Sequence, residues 1–104
     1  MATREVLWST LALEDLNSVF EYIARDSQFY ANRLIDEVIE KVNSIPDLPF
    51  RGRITPEYRE ETLREVFVKQ YRIIYEVTER SVIVHGVIHM ARDLESFWHK
   101  ELGL

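Results

Sequence analysis

Residues 63–93 carry three short apolar runs separated by two polar breaks, Lys69-Gln70 and Glu79-Arg80. Each run alternates with a period of two, the pattern of a half-buried strand. Breaks of two residues are the commonest hairpin connections, so the stretch predicts a three-strand meander. Its register then follows. Phe67 lies opposite Arg72, Glu65 opposite Ile74, Tyr75 opposite Val84 and Ile74 opposite His85. One face collects Arg64, Val66, Val68, Tyr71, Ile73, Tyr75, Val77, Val82, Val84, Gly86 and Ile88. The other collects Leu63, Glu65, Phe67, Arg72, Ile74, Glu76, Ile83, His85, Val87 and His89. The first is mostly apolar. The second mixes apolar with charged groups and is expected to be open or covered by a partner.

Two helical segments precede the meander. Ala12, Leu16, Val19, Phe20 and Ile23 form one apolar stripe, and Ala31, Leu34, Ile35, Val38, Val42 and Ile45 form another. Ser9 or Thr10 offers a cap to the first, Asp26 or Ser27 to the second. Pro46 cannot continue the second helix. Glu5–Trp8 reads as a short strand ahead of both. At the other end, Asp93 can cap a short last helix with Leu94, Phe97 and Trp98 on its apolar side. The fold class expected is α+β, in the order β-α-α-β-β-β with a short C-terminal helix. The antiparallel sheet is covered on one face by an α-hairpin, and residues 1–104 form a single domain.

The 104 residues contain no cysteine, which removes disulfides, thiolate metal sites and a cysteine nucleophile. No leader or membrane-length apolar run is visible, so a cytoplasmic protein without membrane contact is expected. The net charge of −5 is unevenly placed. Residues 1–50 hold 4 basic and 9 acidic side chains, whereas residues 51–104 hold 9 of each. Proteins that live on phosphate contacts usually show a basic excess, so direct nucleic-acid binding is not expected.

Several pieces of the chain resemble, in order, the RelE/ParE toxin superfamily of type II toxin–antitoxin systems. Trp8, Ala12, Asp15-Leu16 and Tyr22-Ile23-Ala24 are similar to its first helix. Pro49-Phe50-Arg51-Gly52-Arg53 looks like its proline–glycine–arginine loop. Leu63-Arg64-Glu65 and Tyr71-Arg72-Ile73-Ile74-Tyr75 look like its second and third strands, and His89 with Arg92-Asp93 like its last-strand ending. The resemblance implies a toxin of a plasmid-stabilisation system, silenced by a cognate antitoxin in a toxin–antitoxin hetero-oligomer. One branch cleaves ribosome-bound messenger RNA. The other, ParE, inhibits DNA gyrase without known nuclease chemistry. Cleavage calls for clustered basic groups and an acid–base residue. Where RelE-like strands carry lysines, this chain holds Leu63 and Glu65. Met90 or Ala91 replaces the basic residue after the last strand, and Phe97 or Trp98 the tyrosine of the tail. The resemblance therefore implies the ParE branch, with no catalytic residue, no cofactor and no metal.

The candidate contacts to target or antitoxin are Arg51, Arg53, Phe67, Arg72, Ile74, His85, His89, Arg92 and Trp98. Phe67, Ile74, Ile83, Val87 and Trp98 are expected to leave apolar surface for the antitoxin. Each charged candidate also has an ordinary reading. Arg72 pairs with Glu65 or Glu76 across the sheet, and Arg51, Arg53 and Arg59 are solvated loop charges. Arg64, on the apolar face opposite Tyr75, reads as structural and in need of a carboxylate. His85 and His89 share a face and read first as ordinary sheet histidines. Were the chain a nuclease, His89 and Arg72 would be the residues to carry it. Gly52 is assigned to turn geometry.

Overall fold

The computed structural model describes residues 3–90. Strand β1 spans Glu5–Trp8, helix α1 Thr10–Ala24 and helix α2 Gln28–Ser44. Two short 3-10 segments, Ile45–Asp47 and Pro49–Arg51, lead into β2, Arg53–Ile54. Strands β3 (Leu63–Val68), β4 (Tyr71–Val77) and β5 (Ser81–His89) complete the described chain. The expected terminal helix, with Arg92, Asp93, Phe97 and Trp98, lies outside the described residues.

Local chemistry sets the helix ends. The Ser9 hydroxyl accepts the Ala12 N–H at 3.0 Å and the Ser27 hydroxyl the Tyr30 N–H at 3.2 Å. Each satisfies a donor that the first turn leaves without a partner. Helix α2 stops at Ser44, and Pro46 sits in the 3-10 turn that follows. Ala31, Leu34, Val38 and Val42 of α2 are buried, as is Ala12 of α1. Ala12, Leu34, Val38 and Val42 pack on Ile73, Tyr75, Val77, Val82 and Val84 of the sheet. The expected α+β arrangement, an α-hairpin over one face of the sheet, is the observed one.

The sheet has five strands in the order β1-β5-β4-β3-β2. It is mixed rather than wholly antiparallel, because β1 pairs parallel to β5. Strand β2 adds two residues of the proline-containing segment to the β3 edge. Both hairpins turn at the expected pairs, and Phe67↔Arg72, Glu65↔Ile74 and Tyr75↔Val84 are opposed as the alternation predicts.

The expected pairing of Ile74 with His85 does not occur. Ile74 faces Gly86 instead, and His85 is the extra residue of a bulge. One added residue reverses every later side chain, because the strand period is two. Val87 and His89 therefore lie opposite Ile73 and Tyr71 on the helix-covered face, and Gly86 and Ile88 move to the other. The bulge occurs where β1 ends. Beyond Trp8 no strand among the described residues covers the outer edge of β5, and α1 supplies an acceptor in its place. Asp15 Oδ2 accepts the Val87 N–H at 3.1 Å.

The second face is not open. Residues 55–62 fold across it and close back on the sheet through Thr55 N–H to Leu63 O, 3.1 Å, and Val77 N–H to Thr62 O, 2.8 Å. Leu63, Ile74 and Ile88 are buried there, with Tyr58 packed on them. Alternation in the strands could not reveal a covering loop that has no periodicity of its own.

Gly52 has φ −63° and ψ 155°, open to any residue. Its requirement is space, not turn geometry. A Cβ there would overlap the Tyr75 hydroxyl and sit 2.8 Å from the Glu65 carbonyl oxygen. Gly52→Ala is expected to cost roughly 1–3 kcal/mol, the usual range for overpacking, read from urea unfolding. The same change in a Tyr75→Phe background should cost less, and equal costs in both backgrounds would contradict the steric account.

Candidate functional site

Arg72 stands at the centre of the second face and is 6% exposed. An unpaired charge at such depth is strongly destabilising. Two carboxylates meet it. Glu57, from the covering loop, takes a fork of two bonds, Nη1 to Oε2 and Nη2 to Oε1, both 2.8 Å. Glu65, from β3, accepts Nε at 2.8 Å and lies 2.6 Å from Nη2. The Arg72 pKa is raised. The largest cause is the bond to Glu57, opposed by desolvation and reinforced by Glu65.

Glu65 is itself 1% exposed and serves a second guanidinium. Arg53 Nε donates to its Oε2 at 2.7 Å, and Arg53 Nη2 pairs with the same oxygen. Arg53 also lies over the Phe67 ring, 5.4 Å from its centroid. The cluster thus holds two guanidiniums and two carboxylates and is neutral as a unit.

The fold brings Arg53, Phe67 and Arg72 together. Ile74 shares their face but is fully buried, and Val87 is 4% exposed on the other, so neither leaves the apolar surface expected of it. Phe67 is 39% exposed. Arg51 is exposed in the second 3-10 segment, away from the cluster. His85 keeps to the second face, and its Nε2 lies 2.8 Å from Glu76 Oε1. His89 sits against Tyr71 with ring centroids 5.6 Å apart, where a shallow groove is lined by Asp15, Tyr22, Tyr71 and His89. The two histidines therefore do not share a face. Neither do His89 and Arg72, because Arg72 opposes Ile88 while His89 opposes Tyr71. Arg92 and Trp98 lie outside the described residues.

Sequence reasoning offers Glu57 to the loop arginines and misses it as the partner of Arg72. It reaches Arg72 from fifteen positions away, through a loop with no pattern to read. Glu65 was legible, since it is diagonal to Arg72 in the expected register. Among the described residues no group of three or more His, Asp or Glu could hold a metal ion, and no helix is long and apolar enough to cross a membrane.

The architecture matches solved structures. A chain of the chromosomal ParDE toxin–antitoxin system from P. aeruginosa superposes with a TM-score of 0.69, at 13% identity, over 84% of this chain and 96% of that one. A chain of the YoeB dimer from Staphylococcus aureus gives 0.59, at 14% identity, over 85% and 98%. These likenesses define the fold. In sequence, the chain is 34% identical over 89 residues to Toxin RelE2 of Caulobacter vibrioides, 85% of this chain and 97% of that protein. Residues 6–94 match the family model of the ParE toxin of the type II toxin–antitoxin system parDE. The chain belongs to this ParE toxin family, within the RelE/ParE superfamily, and membership implies a cognate antitoxin as partner.

Glu65→Gln removes the charge that Arg53 and Arg72 share. Breaking a buried pair typically costs about 3–5 kcal/mol, and a loss of that order is expected in denaturant unfolding. A change below about 1 kcal/mol, the worth of a surface pair, would contradict the buried network. The buried Tyr75 predicts an alkaline limit. Desolvation raises its pKa above the ordinary 10.0, against the Gly52 backbone and the Arg64 charge. The folded value exceeds the unfolded one, so the stabilisation is complete below the unfolded value and lost as pH rises through the folded one. Tyr71 is also raised by desolvation, so ultraviolet phenolate absorbance should show two tyrosines ionising late, and Tyr75→Phe should remove one of them.

Proposed function

We propose that residues 1–104 act as one ParE-like toxin domain in the cytoplasm, inhibiting a protein target, DNA gyrase, rather than cutting RNA. The cognate antitoxin neutralises it in a toxin–antitoxin hetero-oligomer of a plasmid-stabilisation system. The observation that carries this reading is the neutral cluster of Arg53, Arg72, Glu57 and Glu65. Cleaving a phosphodiester requires positive groups aimed at the charge that develops on the phosphate. Arg72 is the one RelE-like cation that the strands retain, and its donors are taken by carboxylates. Glu65 beside it would repel a phosphate. The separation of His89 from Arg72 adds support, because an acid–base residue must reach the same reacting atoms as the cation. Matching the family model of ParE toxins agrees with the reading.

The test is to assay supercoiling by purified gyrase and cleavage of ribosome-bound message with the same protein. Loss of supercoiling with intact message is expected. Cleaved message with normal supercoiling, abolished by His89→Ala, would overturn the proposal in favour of an mRNA interferase.

A further inference from the structure

Arg4, ahead of β1, and Arg64, on β3, meet on one aromatic ring. The guanidinium carbon of Arg64 lies 5.1 Å from the Phe50 centroid and that of Arg4 5.9 Å. Phe50 is 46% exposed. Neither cation is held by a carboxylate. Arg64 donates to three carbonyls, those of Glu61 at 2.7 Å, Phe50 at 3.0 Å and Gly52 at 3.1 Å. Arg4 donates Nε to Thr78 O at 2.8 Å. Among the described residues no carboxylate lies within ion-pair distance of either.

The contrast with Arg53 and Arg72 is the point. Those two are neutralised, whereas Arg4 and Arg64 keep their full charge and are fixed in place. Carbonyl bonds restrict a guanidinium without cancelling it, so little side-chain freedom remains to be lost on binding an anion. The backbone just ahead of the ring is tied to the sheet, because the Tyr75 hydroxyl donates to Pro49 O at 2.7 Å. Apolar groups flank it in sequence, with Leu48 54% and Ile54 39% exposed.

We infer that the Arg4–Phe50–Arg64 cluster is a docking site for a protein segment that alternates acidic and apolar side chains. A carboxylate matches the two amino groups that Arg4 leaves free and the Nη2 that Arg64 leaves free, and apolar side chains match Phe50, Leu48 and Ile54. Two fixed cations suit a peptide with a pair of carboxylates. A nucleic acid draws its affinity from many phosphates, and this chain carries a net charge of −5. The inference goes beyond the proposed function, since it holds for a gyrase inhibitor and an interferase alike.

The test uses fluorescence anisotropy with the full chain and three labelled probes. One is a short synthetic peptide alternating aspartate with leucine, the second its asparagine counterpart, and the third a single-stranded oligonucleotide of matching negative charge. The aspartate peptide should bind best, and rising salt should weaken it. Arg4→Gln and Arg64→Gln should each weaken it roughly three- to tenfold, whereas Arg33→Gln on α2 should not. Arg4 holds a single carbonyl, so Arg4→Gln keeps the test valid if Arg64→Gln disturbs the loop. Absence of binding, equal binding of the two peptides, preference for the oligonucleotide, or equal binding by Arg4→Gln would overturn the inference.

Discussion

A guanidinium buried at the middle of a sheet face is tolerable only when carboxylates meet it, and the second face of this protein is organised around that demand. Arg72 takes one carboxylate from the neighbouring strand and one from the loop that covers it. Glu65, being buried, in turn draws Arg53 from β2. The ion network therefore links β2, β3, β4 and the covering loop. Leu63, Ile74, Ile88 and Tyr58 close the apolar part of the same surface. Buried pairs of this kind add little net stability compared with a well-packed apolar core, yet removing one member is costly. What the network fixes is the position of the loop.

The same arrangement bears on function. A cation whose donors are spent on carboxylates is a poor partner for phosphate. The matches named above carry both RelE and ParE labels. In this chain the strand arginine is paired with two carboxylates, and two cations without a carboxylate partner among the described residues, Arg4 and Arg64, lie over Phe50.

Much of the fold was legible because it depends on period and capping. The helix ends followed from Ser9, Ser27 and Pro46, and the hairpin registers from two-residue turns. The site was legible only in part, for two physical reasons. The first is the bulge at His85, which period-two reading cannot anticipate. Its cause is tertiary: β1 is too short to cover β5, and Asp15 of α1 takes over the edge. That one residue separated His85 from His89 and His89 from Arg72. The second is the loop at residues 55–62. Its sequence gives no sign that Glu57 turns inward or that Tyr58 seals Ile74, so Ile74 was expected on the surface and lies in the core. Arg64 shows a third kind of gap. Its place opposite Tyr75 was correct, but it is held by carbonyls rather than by the carboxylate expected.

The central claim is that the Arg72 guanidinium is committed to Glu57 and Glu65 and unavailable to phosphate. Nuclear magnetic resonance of the arginine Nε–H groups tests it most directly. The account predicts one Nε–H, lost in Arg72→Lys, that exchanges slowly with solvent and does not shift when single-stranded RNA is added. A rapidly exchanging Arg72 Nε–H, or one that moves on titration with RNA, would contradict it.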